Sequence, residues 1–187
     1  MPVILAANWW SVFARGLTAL ALGIVALVKH EMPLSDLELV FFGYAMLDGL
    51  LNLAGFVSAS EYGERWESLL FEALTSIAAA LVLAAWPTVT ITGFIYLVAA
   101  WALMTGVLEI FSAARLRTHI QGEWLMILSG ATSIALGAVM VVTPLAEVSE
   151  ISVWLGGYAL LFGAILVALA LRLRDWVGLP EIAPQAR

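Results

Sequence analysis

Four charged residues sit inside otherwise apolar stretches of this chain: Arg15, Asp48, Glu72 and Glu109. Asn52 follows Asp48 by four residues, which places both on one face of a helix. On insertion scales a charge at the centre of an apolar span costs about 2.5–3.5 kcal/mol, so such residues pair, face water or carry protons or ions. One base among three acids leaves a local charge of −2 (1 − 3) unless an acid holds a proton, which burial and like charge both favour. Two readings follow. In one, the polar layer is a proton or ion relay, or lines a small cavity open to one side of a membrane. In the other, which we prefer on sequence alone, Arg15 pairs with Glu72 or Glu109 and snorkels. Asp48, protonated or bonded to Asn52, then only fixes helix register. A relay would not survive Asp48→Asn; a register-fixing Asp48 would tolerate it.

Other chemistry is sparse. The chain has no cysteine, so thiolate nucleophiles, thiolate metal sites and disulfides are excluded. No Glu-x-x-His spacing suits a di-metal site, and no glycine-rich phosphate loop is present. His30 and His119 fall on opposite sides of the expected membrane and cannot share a metal or a triad. We therefore expect no catalytic residue, no metal and no cofactor. The net charge of −6 argues against a nucleic-acid partner, which would need clustered basic residues.

The elements that position these charges are legible from composition. The 187 residues are 63% hydrophobic and 12% charged, with mean hydropathy +1.02, far from globular usage. Trp124 to Val142 and Ile151 to Leu171 hold no charge, as membrane spans require. Ala73 to Leu108 is also uncharged, but as one helix it would be about 54 Å long against a hydrocarbon core of about 30 Å. Pro87 breaks it into two spans. The stretch from Trp9 to Val28 is too long for a signal-peptide core and contains Arg15, so it reads as a retained span.

An aromatic-Ala-x-x-x-Gly pattern starts at Tyr44, Trp101 and Tyr158, at a constant period of 57 residues (101 − 44 and 158 − 101). The period places six spans near 9–28, 39–59, 68–86, 89–113, 124–143 and 151–171. Small residues align in the first helices, Gly16/Ala73/Gly130 and Gly23/Ala80/Gly137, and in the second helices, Gly49/Gly106/Gly163 behind Ala45/Ala102/Ala159. In lipid, where apolar burial does not drive association, such residues let backbones approach closely. The expected fold is all-α and integral to the membrane: six transmembrane helices in three parallel two-helix repeats, arranged with pseudo-threefold symmetry. One membrane domain covers residues 1–171, with repeats 9–59, 66–116 and 123–173, and a loose tail covers 172–187. In register, Arg15 matches Glu72 and Ser129, Asp48 matches Thr105 and Phe162, and Asn52 matches Glu109 and Leu166. Units one and two thus face something polar, while unit three reads as scaffold.

Basic residues set the orientation. One face carries Arg65, Arg115, Arg117, Arg172, Arg174 and Arg187, and the other only Lys29, which places both termini in the cytoplasm. The outer loops hold Glu31, Asp36, Glu38, Glu147 and Glu150 beside His30, and Trp9, Trp10, Trp66, Trp86 and Trp124 mark span ends.

Six spans in three short repeats resemble the HdeD family of bacterial inner-membrane proteins. The likeness lies in Gly-x6-Gly in the first helix, a proline at its outer end (Pro87, Pro144, displaced at Pro33) and a glycine-bearing second helix. It covers residues 9–171; the Trp-rich first helix and the Ala73/Ala80 pair of unit two depart from it. The resemblance implies a plasma-membrane component of stress and acid resistance and supplies no site residues. The expectation is a non-enzymatic multi-pass protein whose certain partner is the bilayer, with a homo-oligomer or a membrane-protein partner left open. The competing class is a small transporter or proton-conducting protein that uses the Asp48 layer.

Overall fold

In the computed structural model, the residues described are 9–61, 67–116 and 123–177. Six helices occupy them: α1 (Trp9–Val28), α2 (Leu34–Glu61), α3 (Glu67–Ala85), α4 (Ile91–Leu116), α5 (Glu123–Val142) and α6 (Val148–Val177). No strand occurs among the described residues. All six helices are long and apolar enough to cross a membrane.

Three short turns join the helices at one end, here called the turn end. Each is closed by the same backbone bond: Met32 to Lys29, Val89 to Trp86 and Ala146 to Thr143. Pro87 and Pro144 take the second position of their turns, where a fixed φ suits a type I or II turn. His30 holds that position in the first turn, and the displaced Pro33 accepts the first bonds of α2 through its carbonyl, from Asp36 and Leu37. Thr90 caps α4 by accepting from Gly93 N–H at 3.1 Å, and Glu150 reaches back to the Glu147 amide at 3.2 Å to start α6.

The most intimate helix pairs are not those within a hairpin. They are α6 with α1, α4 with α5 and α2 with α3, each joining the second helix of one repeat to the first helix of another. The small residues explain this. A Cβ on Gly106 would lie 2.6 Å from the Gly130 carbonyl oxygen, and the reverse holds for Gly130. Gly163 and Gly16 abut in the same way, and Gly49 lies against the Ala73 carbonyl. These three contacts occupy equivalent repeat positions, and the third closes the chain's last helix on its first. A second row matches Gly137 with Ala99 and Gly23 with Gly156.

The interior is layered by the repeat. Nearest the turn end lie Leu37/Phe94/Ile151, then Phe41/Val98/Leu155, all fully buried. Tyr44/Trp101/Tyr158 come next, with Trp101 edge-on to Phe41, Tyr44 and Tyr158 at centroid distances of 5.3, 5.7 and 6.3 Å. Beyond the aromatic layer the buried residues turn polar. The outer surface is the reverse, carrying Leu17, Ile24, Leu50, Leu74, Leu81, Val107, Phe111 and Leu161, each about half exposed.

One boundary differs from the sequence reading. The tail expected over 172–187 is helical as far as Val177, because α6 continues past the last apolar turn. Arg172 and Arg174 lie over the rings of Trp124 and Trp9, 5.6 and 5.7 Å from the centroids, which ties this extension to α5 and α1. Trp66, Arg65, Arg117, His119 and Arg187, which the sequence reading uses for orientation and interfaces, lie outside the described residues.

Candidate functional site

Four helices deliver the intramembrane-type charges to one point. Arg15 enters from α1, Asp48 from α2, Glu72 from α3 and Glu109 from α4. The guanidinium spreads its fork over all three acids. Its Nε donates to Asp48 Oδ1 at 2.8 Å, one terminal nitrogen lies 3.4 Å from Glu72 Oε2, and the other lies 3.7 Å from Glu109 Oε1. All four are buried, with Arg15 only 6% exposed. It therefore turns inward and does not snorkel to the helix end as the sequence reading supposed. Three carboxylates within reach of its fork outweigh the hydration a snorkelled head would gain.

Asp48 is the best-satisfied acid. Its Oδ2 accepts from Ser76 Oγ at 2.8 Å and from Asn52 Nδ2 at 3.3 Å. Ser76 in turn accepts from the Trp101 indole N–H at 3.0 Å, so the aromatic layer is hydrogen-bonded to the ion cluster below it. The expected Asp48–Asn52 pairing is present, but the shortest contact of Arg15 is Asp48, not Glu72 or Glu109. Thr105, the counterpart of Asp48, bonds the Trp101 and Ala102 carbonyls of its own helix.

Sequence reasoning missed Ser76 and also Ser133, which meets the Tyr158 hydroxyl at 3.1 Å in unit three, and it took Trp101 only as the start of a packing motif, not as a partner of the polar layer. One signal was available. Ala19, Ser76 and Ser133 share a repeat position, so two serines recur one turn inside the Arg15/Glu72/Ser129 layer. The paired glycines of the first helices of units one and three, Gly16/Gly23 and Gly130/Gly137, and the second-helix glycines Gly49, Gly106 and Gly163 face neighbouring helices, not the ion cluster.

On the side away from the turns, a cavity of about 40 Å³ adjoins the cluster. Arg15, Glu72, Glu109, Ser68, Ser112 and Ser129 supply its polar wall, and Val12, Leu69, Met126, Leu166 and Leu169 its apolar one. A water needs roughly 10–15 Å³ of such space and two to four polar partners, so the site has room for water. Two buried side-chain polar atoms among the described residues have no hydrogen-bond partner, Asn52 Oδ1 and Glu109 Oε2. Among the described residues no group of three or more His, Cys, Asp or Glu is arranged to hold a metal ion. His30 lies in its turn, 3.8 Å from Glu31 and half exposed, remote from the cluster.

No curated protein and no solved structure matches the chain. A family model described as a short repeat of unknown function (DUF308) matches three times, over residues 14–84, 71–142 and 129–183. Successive matches overlap on α3 and on α5, the helices that begin one repeat and pack against the second helix of the repeat before. The matches together cover most of the chain, which belongs to the DUF308 short-repeat family.

Proposed function

We propose that this protein is a six-span integral protein of the bacterial inner membrane, of HdeD type, acting as a non-enzymatic component of stress or acid resistance. Its helices form a pseudo-threefold bundle with both termini in the cytoplasm. The observation that carries the membrane reading is the inverted distribution of polarity. Large apolar side chains cover the outside of the helices while Arg15, Asp48, Glu72 and Glu109 are buried inside. A water-soluble protein of this size rarely exposes such an apolar surface. The three repeated glycine contacts support the pseudo-threefold packing, and Arg172 and Arg174 at the end of α6 support a cytoplasmic C-terminus. For the activity, the HdeD resemblance is the support, and the absence of a nucleophile–base pair in the cluster argues against an enzyme.

The test is acid survival of a deletion strain, with and without the intact gene restored, together with fractionation of the tagged protein. Loss of survival that the gene restores, with the protein in the inner membrane, is expected. Unchanged survival would remove the acid-resistance role.

A small proton-conducting protein or transporter is the second reading, favoured by the cavity beside Glu109 and its unpaired oxygen. The buried layers between Asp48 and Leu37 weigh against it. They extend about 16 Å along α2 and are lined by aromatic and aliphatic side chains from all three second helices.

A further inference from the structure

The charge imbalance of the ion cluster has a location. Asp48 accepts three donors, from Arg15, Ser76 and Asn52. Glu72 has Arg15 at 3.4 Å. Glu109 is the weakest-held acid: Oε1 is 3.7 Å from Arg15, and the buried Oε2 has no hydrogen-bond partner. The Ser112 hydroxyl donates to the Leu108 carbonyl at 2.8 Å and the Ser129 hydroxyl to the Met126 carbonyl at 2.9 Å, and each has only that one proton to share with the acid beside it, Glu72 for Ser112 and Glu109 for Ser129. A buried carboxyl oxygen without a donor suits a carboxylic acid, which has a proton to give, better than a carboxylate, which needs donors.

We infer that Glu109 is a proton-binding site, loaded and emptied through the adjoining cavity from the end where α1 begins and closed to the turn end. A hydronium ion in the cavity gives its proton to Glu109 Oε2 and remains as water, and the cluster charge rises from −2 to −1 with Arg15 counted as +1. Ser68 carries the polar wall one turn further towards that end, whereas Tyr44, Trp101 and Tyr158 cover the cluster on the other side. The titratable groups facing Glu109 are Arg15 from α1, Tyr44 and Asp48 from α2, Glu72 from α3 and Tyr158 from α6; α5 presents Ser129. A small metal cation fits less well, because the Arg15 guanidinium already lies between the two glutamates and would repel it.

The inference relies on the proposed membrane placement only for calling the loading side cytoplasmic, and it deepens the second functional reading without requiring conduction. The experiment is infrared difference spectroscopy of the full-length protein in detergent, between neutral and alkaline pH. The expected result is a protonated-carboxyl band at neutral pH that shifts on isotopic labelling of glutamate. It should be lost in Glu109→Gln and kept in Glu150→Gln. In vesicles of one orientation the band should follow pH on the side where α1 begins. No such band in the unaltered protein, or one insensitive to glutamate labelling, would overturn the inference even if Glu109→Gln fails to fold. A band that persists in a folded Glu109→Gln, follows the opposite side, or is displaced by sodium at constant pH would also overturn it. The detergent measurement needs neither a membrane nor a stress phenotype, so its failure is distinct from failure of the acid-survival test.

Discussion

Arg15 is the residue on which the interior depends. Among the described residues it is the one buried base beside three buried acids from three other helices, so removing it leaves those carboxylates in an apolar bundle without their counter-charge. Breaking a buried ion pair by removing one partner costs about 3–5 kcal/mol, and Arg15→Leu should lower the melting temperature in detergent accordingly. Arg15→Lys should fall between the two, since an ammonium keeps the charge but cannot reach three acids with a planar fork. Asp48→Asn separates sequence reasoning from geometry. On the register-fixing reading from sequence alone, Asn is harmless, able to bond Asn52. In the structure both Asp48 oxygens accept, one from Arg15 and the other from Ser76 and Asn52. An amide must present an N–H2 to one of those donor sets, so we expect a loss of about 1–3 kcal/mol, read as a lowered melting temperature. The charges of this site were legible because a charge in an apolar span stands out. Ser76 and Trp101 were not, because both residue types are ordinary in such helices and their role appears only when α2, α3 and α4 meet.

At the level of the elements, the small residues decide which helices touch. Gly106→Ala should destabilise the protein by about 1–3 kcal/mol, because even one methyl group meets the Gly130 backbone. Gly157→Ala is the control: nothing lies within 4 Å of its added Cβ, so melting should be unchanged or slightly raised by better helix propensity. Equal effects of the two substitutions would contradict the packing scheme. The positions of the helices were largely legible, since the apolar runs, Pro87 and the 57-residue period mark them (101 − 44). All three second helices end later than hydropathy suggested, and α2 and α6 also begin earlier; in α2 this is because Asp36, Glu38, Ser60 and Glu61 are polar yet compatible with helix. The extension of α6 to Val177 was hidden for the same reason, with Arg172, Arg174 and Asp175 read as tail although the arginines lie on Trp124 and Trp9. Which helix packs on which was not legible. A list of aligned glycines does not say whether a repeat closes on itself or on its neighbour.

For the whole molecule, the helices form a chain of contacts that returns from α6 to α1, around an interior that changes character along its length. Towards the turns it is a seal of Leu37, Phe94, Ile151, Phe41, Val98, Leu155 and the Tyr44/Trp101/Tyr158 layer. Away from the turns it is an ion cluster with a cavity beside it. On the proposed reading such a molecule exchanges protons with one side and holds its charged interior in register, and among the described residues the layers from Leu37 to the aromatic layer close it to the other side. That closed, one-sided interior is the central claim of the account. Its most direct test is proton flux in liposomes containing the purified protein under an imposed pH gradient, with Asp48→Asn and Glu109→Gln measured alongside. The account predicts flux no greater than in protein-free liposomes for all three. Flux through the unaltered protein that either substitution abolishes would contradict it and establish a conducting pathway through the cluster.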